Sequence, residues 1–186
     1  MKRLVWLGVL VLVLAAIPVG ASTFLAMSRG ELVAQSDAVI QGRVLKVNSF
    51  WDPSGRVIMT EAMIQVEDTI RGKSASVAVV RTFGGRVGNF IVEAHGFPKF
   101  VVNDHVLLFL HNSGDATEVT GYQLGHYRIV RDKAGVEMAV PTFDGGAMLL
   151  GRDGRPAAAP KAMQLDAFKS MIRAEAEKPS TGRNAN

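Results

Sequence analysis

Polar and apolar residues alternate with a period of two along residues 56–70. Ile58, Ala62, Ile64, Val66 and Ile70 share one face with Thr60, while Glu61, Gln65, Glu67 and Thr69 point the other way. That is the pattern of a half-buried β-strand. Ala38, Ile40, Gly42 and Val44 form the matching face of a strand before it, and a third strand runs to Phe83. The first two are joined by the turn Asp52-Pro53-Ser54-Gly55. An interior glycine such as Gly42 marks a bulge or bend, so the sheet is expected to coil and close on itself.

The pattern changes beyond Phe83. Three glycines within 84–89 predict a loop or bulged turn, with a short strand at 90–93. Residues 106–110 are apolar on both faces, which predicts a strand covered on both sides or the closing strand of a barrel. Residues 122–124 and 127–131 read as one strand interrupted by Gly125, and 136–140 as another. Two helices frame this β region. Ser28 and Glu31 have the spacing of a capping box, predicting a short helix to about Gln35 with Leu32 facing the sheet. Met163, Leu165, Phe168, Met171 and Ile172 form a stripe at helical spacing in 161–177. Between them, 144–160 is rich in Gly, Ala, Pro and Arg and reads as a flexible linker. Residues 178–186 read as a disordered tail.

Residues 1–21 carry the three parts of a secretory leader. Lys2 and Arg3 precede the apolar run 4–17, and Val19 and Ala21 occupy the small-residue positions before a cleavage site. The run is shorter than the roughly 20 residues that span a bilayer, so cleavage after Ala21 is expected, with no stable membrane anchor afterwards. The expected compartment is periplasmic or extracellular.

Composition narrows the chemistry. The 186 residues have a formal charge of +4, and removing Lys2 and Arg3 with the leader leaves +2. Such a weak excess does not suit a nucleic-acid partner. With no cysteine, disulfides, thiolate metal sites, a cysteine nucleophile and N-terminal lipidation on cysteine are all excluded.

Several segments together carry a resemblance. They are the tract from Ser36 to Val44, the end of the second long strand from Val66 to Gly72, the segment 102–110, and the tract from Gly125 to Val130. Their order resembles uncharacterised exported bacterial proteins whose domain is similar to the netrin-like module of tissue inhibitors of metalloproteinases. The resemblance covers about residues 28–131. It implies a mainly β fold, an OB-like (netrin-like) five-stranded barrel over 22–143, flanked by the short N-terminal helix and the C-terminal helix. The inhibitors of that family bind zinc through an N-terminal cysteine. This chain has none, so their inhibitory mechanism does not carry over.

Candidate functional residues are few. Glu93 and His95, with His105 or His111, are the residue types of a metal site, but their spacing matches no zinc motif. His126 completes the set of histidines. The signatures G-x-S-x-G, H-E-x-x-H and S-x-x-K are all missing. The glycines of 84–89 lack the Lys-Ser/Thr ending of a phosphate loop, and Glu67 and Asp68, adjacent in a strand, face opposite ways. Phe50 and Trp51 precede the first turn, where OB-type barrels contact ligands. Arg43, Lys46, Arg56, Arg71, Arg81 and Arg86 offer a basic face. The reading that follows is an exported, non-enzymatic binding module without cofactor or metal. Its contact residues are Phe50, Trp51 and Arg86, and its partner is a protein such as a secreted protease. A metal-assisted hydrolase using the histidines and a glycan-binding module are the alternatives.

Overall fold

The computed structural model describes residues 22–143 and 147–178. The expected leader and residues 179–186 of the expected tail lie outside the described residues. The described chain is mainly β, and its centre is one large mixed sheet. In chain order the strands are β1 (Ser22–Leu25), β2 (Ala38–Trp51), β3 (Ile58–Arg71), β4 (Val77–Phe83), β5 (Gly85–Val87), β6 (Phe90–Val92) and β7 (His105–Ser113). They continue with β8 (Ala116–Val119), β9 (His126–Arg131), β10 (Glu137–Pro141), β11 (Ala147–Leu150) and β12 (Met163–Gln164). Helix α1 is Arg29–Gln35 and helix α2 is Leu165–Glu177.

β2, β3 and β4 form an antiparallel meander. β7 returns to lie antiparallel beside β2. The short β8 pairs antiparallel with β7 and parallel with β4, so the pairing path through β7, β2, β3, β4 and β8 comes back to β7. The sheet is larger than five strands, because β9, β10 and β12 continue it beyond β7. The two long strands slip register three times, between Val39 and Ile40, Gln41 and Gly42, and Val44 and Lys46. Such bulges add twist and bend the strand. Gly42 belongs to this bend: a Cβ there would collide with the carbonyl of Gln65 and crowd Ile64.

Alternation along β3 follows the expected faces. Ile58, Thr60, Ala62, Ile64 and Ile70 are buried and Val66 half-buried, whereas Met63, Gln65, Glu67 and Thr69 are exposed. Residues 106–110 are all buried, since β7 is covered on both sides. Val106, Leu108 and Leu110 join Ile40, Val44, Ile64 and Val80 in one core. Leu107 and Phe109 join Val39, Leu32, Phe168 and Ile172 in a second core beneath the helices. β2 is divided in the same way, with Val39 in one core and Ile40 in the other.

The helices have apolar faces, but that of α2 is narrower than expected: the helix begins at Leu165, Met163 lies on β12 before it, and Met171 is 38% exposed. The Ser28 hydroxyl accepts from the Glu31 amide at 3.2 Å, and the Glu31 carboxylate accepts from the Ser28 amide at 2.8 Å, which is the capping box in full. Leu165, Phe168 and Ile172 of α2 are buried. The Lys169 ammonium, mostly shielded, reaches Asp68 at 2.5 Å and Gln41 at 2.9 Å across the sheet.

Two segments depart from the expected pattern. Within 144–160, β11 pairs in parallel with β1, Ser22 opposite Ala147 and Leu25 opposite Leu150, so this part is held in register where a flexible linker is expected. Met148-Leu149-Leu150 supplies an apolar run, and Leu149 is buried in the helix-side core. Tyr122–Gly125 is a 3₁₀ turn where a strand is expected. Gly121 and Tyr122 both have positive φ, 67° and 57°, which breaks any extended path there. No helix among the described residues is long and apolar enough to cross a membrane.

Candidate binding surface

One end of the pairing circuit carries two exposed aromatic residues in contact, Trp51 and Phe90. β2 ends at Trp51, and the turn that follows is tied by Asp52. Its carboxylate accepts from the Ser54 hydroxyl at 2.5 Å and from the amides of Arg56 and Val57 at 2.9 and 2.8 Å. The Ser54 hydroxyl bond, then the Val57 amide, hold the Asp52 carboxyl down to about 2. The turn is therefore a rigid Asx-type closure rather than a loose loop.

The glycine-rich stretch is not a plain loop. Gly85–Val87 and Phe90–Val92 form a small antiparallel hairpin, β5–β6, with Arg86 opposite Ile91 and Val87 opposite Phe90. Gly88, at φ 58°, makes its turn. Gly85 lets the hairpin lie close against the sheet, because any Cβ there would strike the hydroxyls of Thr60 and Ser49. Those hydroxyls are 2.7 Å apart, and Thr60 donates to the Gly84 carbonyl at 2.6 Å.

This placement sorts the three residues singled out in the sequence. Trp51 and Phe90 meet edge to face, with ring centroids 5.5 Å apart and planes at 73°. Both are solvent-facing, Trp51 at 37% and Phe90 at 63% exposure; Ile91, next to Phe90 and also exposed, points the other way and shares a face with its cross-strand partner Arg86. Arg86 is exposed on the opposite face of the same hairpin, where its Nε donates to the Gly88 carbonyl at 3.1 Å. Phe50 pairs with Met59 and Trp51 with Ile58. Adjacent strand residues point to opposite sides, so Phe50 and Trp51 do not form one platform. Phe90 takes the place beside Trp51 that Phe50 was expected to fill.

Beneath the hairpin lies a groove of about 280 Å³. Val47, Ile91, Pro98 and Phe100 give it apolar walls, the Ser49, Thr60 and Thr82 hydroxyls line it, and Arg86, Glu93 and Lys99 border it. A mainly apolar recess with a few polar groups has the composition of a recognition site. Sequence reasoning missed both the groove and Phe90. The available signal was the apolar pair Phe90-Ile91 directly after Gly88-Asn89, where a solvated turn would favour polar residues.

The other candidate chemistry is dispersed. β6 ends at Val92, so Glu93 and His95 do not continue on a strand face. His95 is exposed in the next turn. His105 lies 2.8 Å from Glu67 and 3.0 Å from Gln41, and His111 lies 3.4 Å from Thr120. Among the described residues no three histidine or acidic side chains gather as a metal-ligand group. The expected basic face is broken up as well. Arg81 is paired with Glu61 at 2.9 Å and Asp115 at 3.5 Å, Arg43 lies 3.7 Å from Glu67, and Arg71 donates to the Ser36 carbonyl.

His126 is a separate case. It is 1% exposed, neither ring nitrogen has a partner, and its ring lies 5.0 Å from that of Phe100. Burial, helped by the Arg128 charge, pushes it down from 6.5 to about 4. The unfolded chain therefore takes up this proton at higher pH than the folded one. Stability is fully present above about pH 6.5 and falls as pH drops toward the folded value. Chemical denaturation should show a loss of about 2 kcal/mol between about pH 7.5 and pH 5 from this group. His126→Phe should flatten that part of the profile. An unchanged slope in the variant would assign the proton uptake elsewhere.

Comparison of the chain with protein-family models finds no match, and comparisons with curated proteins and with solved structures find none either.

Proposed function

We propose that this chain is an exported, non-enzymatic binding module on an OB-type barrel, and that its partner is a protein met in the periplasm or outside the cell. The observation that carries this reading is the β5–β6 hairpin, which holds Trp51, Phe90, Ile91 and Arg86 in the open at one end of the sheet. Tryptophan and arginine, with clustered apolar neighbours, are the residue types that dominate protein–protein contacts.

The OB-type reading is supported by the pairing pattern. A three-strand meander, a fourth strand returning beside the first, and a fifth lying parallel to the third make a five-strand Greek-key circuit of that kind. In OB barrels the connection after the first barrel strand commonly takes part in binding. Here that connection is the Asp52-tied turn, immediately after Trp51. The β5–β6 hairpin extends the same end from the link between the third and fourth barrel strands. A secreted protease fits as partner through the resemblance to the inhibitor family, although the cysteine on which those inhibitors depend is missing. Glycan recognition draws support from the exposed Phe90 ring, but a platform of Phe50 with Trp51 is not available to it. The hydrolase reading gains nothing from the separated histidines.

The test is capture of partners from the exported fraction with the purified domain as bait. Trp51→Ala combined with Arg86→Ala should abolish most of the capture. Its melting temperature should stay within the small range expected of exposed side chains. Capture equal to wild type would move the contact surface away from the hairpin. Peptide or ester hydrolysis that disappears in His95→Ala would replace the binding reading with the enzymatic one.

A further inference from the structure

Three recesses of the described residues differ in chemistry. The first is the groove under the hairpin. The second, of about 370 Å³, is lined by Arg81, Glu61, Asp115, Lys73 and Asp37. Arg81 there is already neutralised by Glu61 and Asp115, and the other charges on its wall, Lys73 and Asp37, are of opposite sign. The third, of about 280 Å³, opens between the start of α1, the side of α2 and the segment leading into β12.

This third pocket pairs apolar walls with under-neutralised positive charge. Leu32, Leu124, Leu149, Met163 and Phe168 line it, and Arg29 and Lys161 stand on its wall. The Nε of Arg29 is shielded from solvent with no hydrogen-bond partner. Its Nη2 is 4.0 Å from Glu175, at the outer limit of an ion pair. Glu175 is engaged more closely by Lys178, at 2.8 Å. The Nε itself is closed off, but the side chain is 34% exposed, so the weakly compensated remainder of the guanidinium is open to an anion entering the pocket. Tyr127 adds a phenol to the same wall. Burial pushes that phenol up to about 12, so it remains a hydrogen-bond donor at ordinary pH.

We propose that the pocket bounded by Arg29, Lys161 and the side chains of Leu149 and Phe168 binds a monocarboxylate with an apolar chain. The carboxylate lies against Arg29 and Lys161, and the chain lies along Leu124, Leu149 and Met163. Arginine suits this role because its planar donor fork matches a carboxylate. The site is distinct from the hairpin surface and does not depend on the function assigned there.

Isothermal titration of the purified protein with octanoate tests the assignment, with octanol and acetate as controls. Octanoate should bind saturably at one site, octanol at least about tenfold more weakly, and acetate should not compete at equal concentration. Arg29→Gln should weaken octanoate about tenfold while the thermal melt stays unchanged, and Lys161→Gln should weaken it less. The Trp51→Ala and Arg86→Ala double variant should bind octanoate as wild type does. Failure to saturate, or equal binding of octanol and octanoate, would overturn the proposal. So would competition by acetate, which would mark a simple anion contact, or wild-type affinity in Arg29→Gln. Should Arg29→Gln fail to fold, wild-type affinity in Lys161→Gln overturns it instead.

Discussion

Phe168→Asp is expected to destroy the native fold under conditions where the wild-type protein is stable. Phe168 is 5% exposed and packed between Tyr127 and Phe109, with ring centroids at 4.7 and 6.2 Å. Removing a buried phenylalanine costs about 3–5 kcal/mol. Aspartate adds either the desolvation of an unpaired carboxylate or its forced protonation, so the total exceeds about 4 kcal/mol, a large part of the stability of an ordinary domain. The stripe on α2 predicted an apolar partner because thirteen helical residues are marginal alone. That partner is the second face of β7 with its neighbours, not a surface awaiting another protein. Lys169, bonded to Asp68 and Gln41, fixes the helix at its middle. A denaturant melt decides the matter, and a variant melting with wild type would mean that α2 is detached in solution.

The second large effect lies inside the pairing circuit. Ile64 is fully buried, opposite Val44 on β2 and Ala78 on β4. Its methyl groups fill the space left open by Gly42. Ile64→Ala should cost about 2–5 kcal/mol, toward the upper end because the bulged strands around it are poorly placed to collapse into the gap. Gln65→Ala, one residue on and exposed, should stay within about 0.5 kcal/mol. Equal losses for the two substitutions in urea melts would contradict the assigned faces of β3.

These two sites show why some elements were readable in the sequence. The period of two in 56–70 and the helical stripe from Leu165 to Ile172 are both long enough for periodicity to identify the element and its buried side. The double-sided apolar run at 106–110 announced a strand covered twice, and each layer is present. Short elements were harder. β11 rests on four residues and pairs with β1 across more than 120 positions, a tertiary pairing that no local pattern encodes. Tyr122–Gly125 has the composition of a strand, but the positive φ of two successive residues turns it into a 3₁₀ turn. The candidate surface was half readable. Trp51 and Arg86 stand at the end where the hairpin projects. Phe90 emerged only because Gly85 permits the hairpin to fold against Ser49 and Thr60. The strand character of residues 50 and 51, and not a loop, separates Phe50 from Trp51.

The division of β7 and β2 between two cores bears on how the chain can be cut. Leu107 and Phe109 have α2 for their cover, while Val106 and Leu108 face the other way into the meander. A chain truncated after residue 143 would keep the strands of the circuit but bare an apolar stripe along a central strand. Exposed stripes of that kind invite association with further copies. The C-terminal helix, set apart in sequence by a stretch of Gly, Ala and Pro, covers that stripe, so a soluble fragment of the β region is expected to need the chain through Ile172.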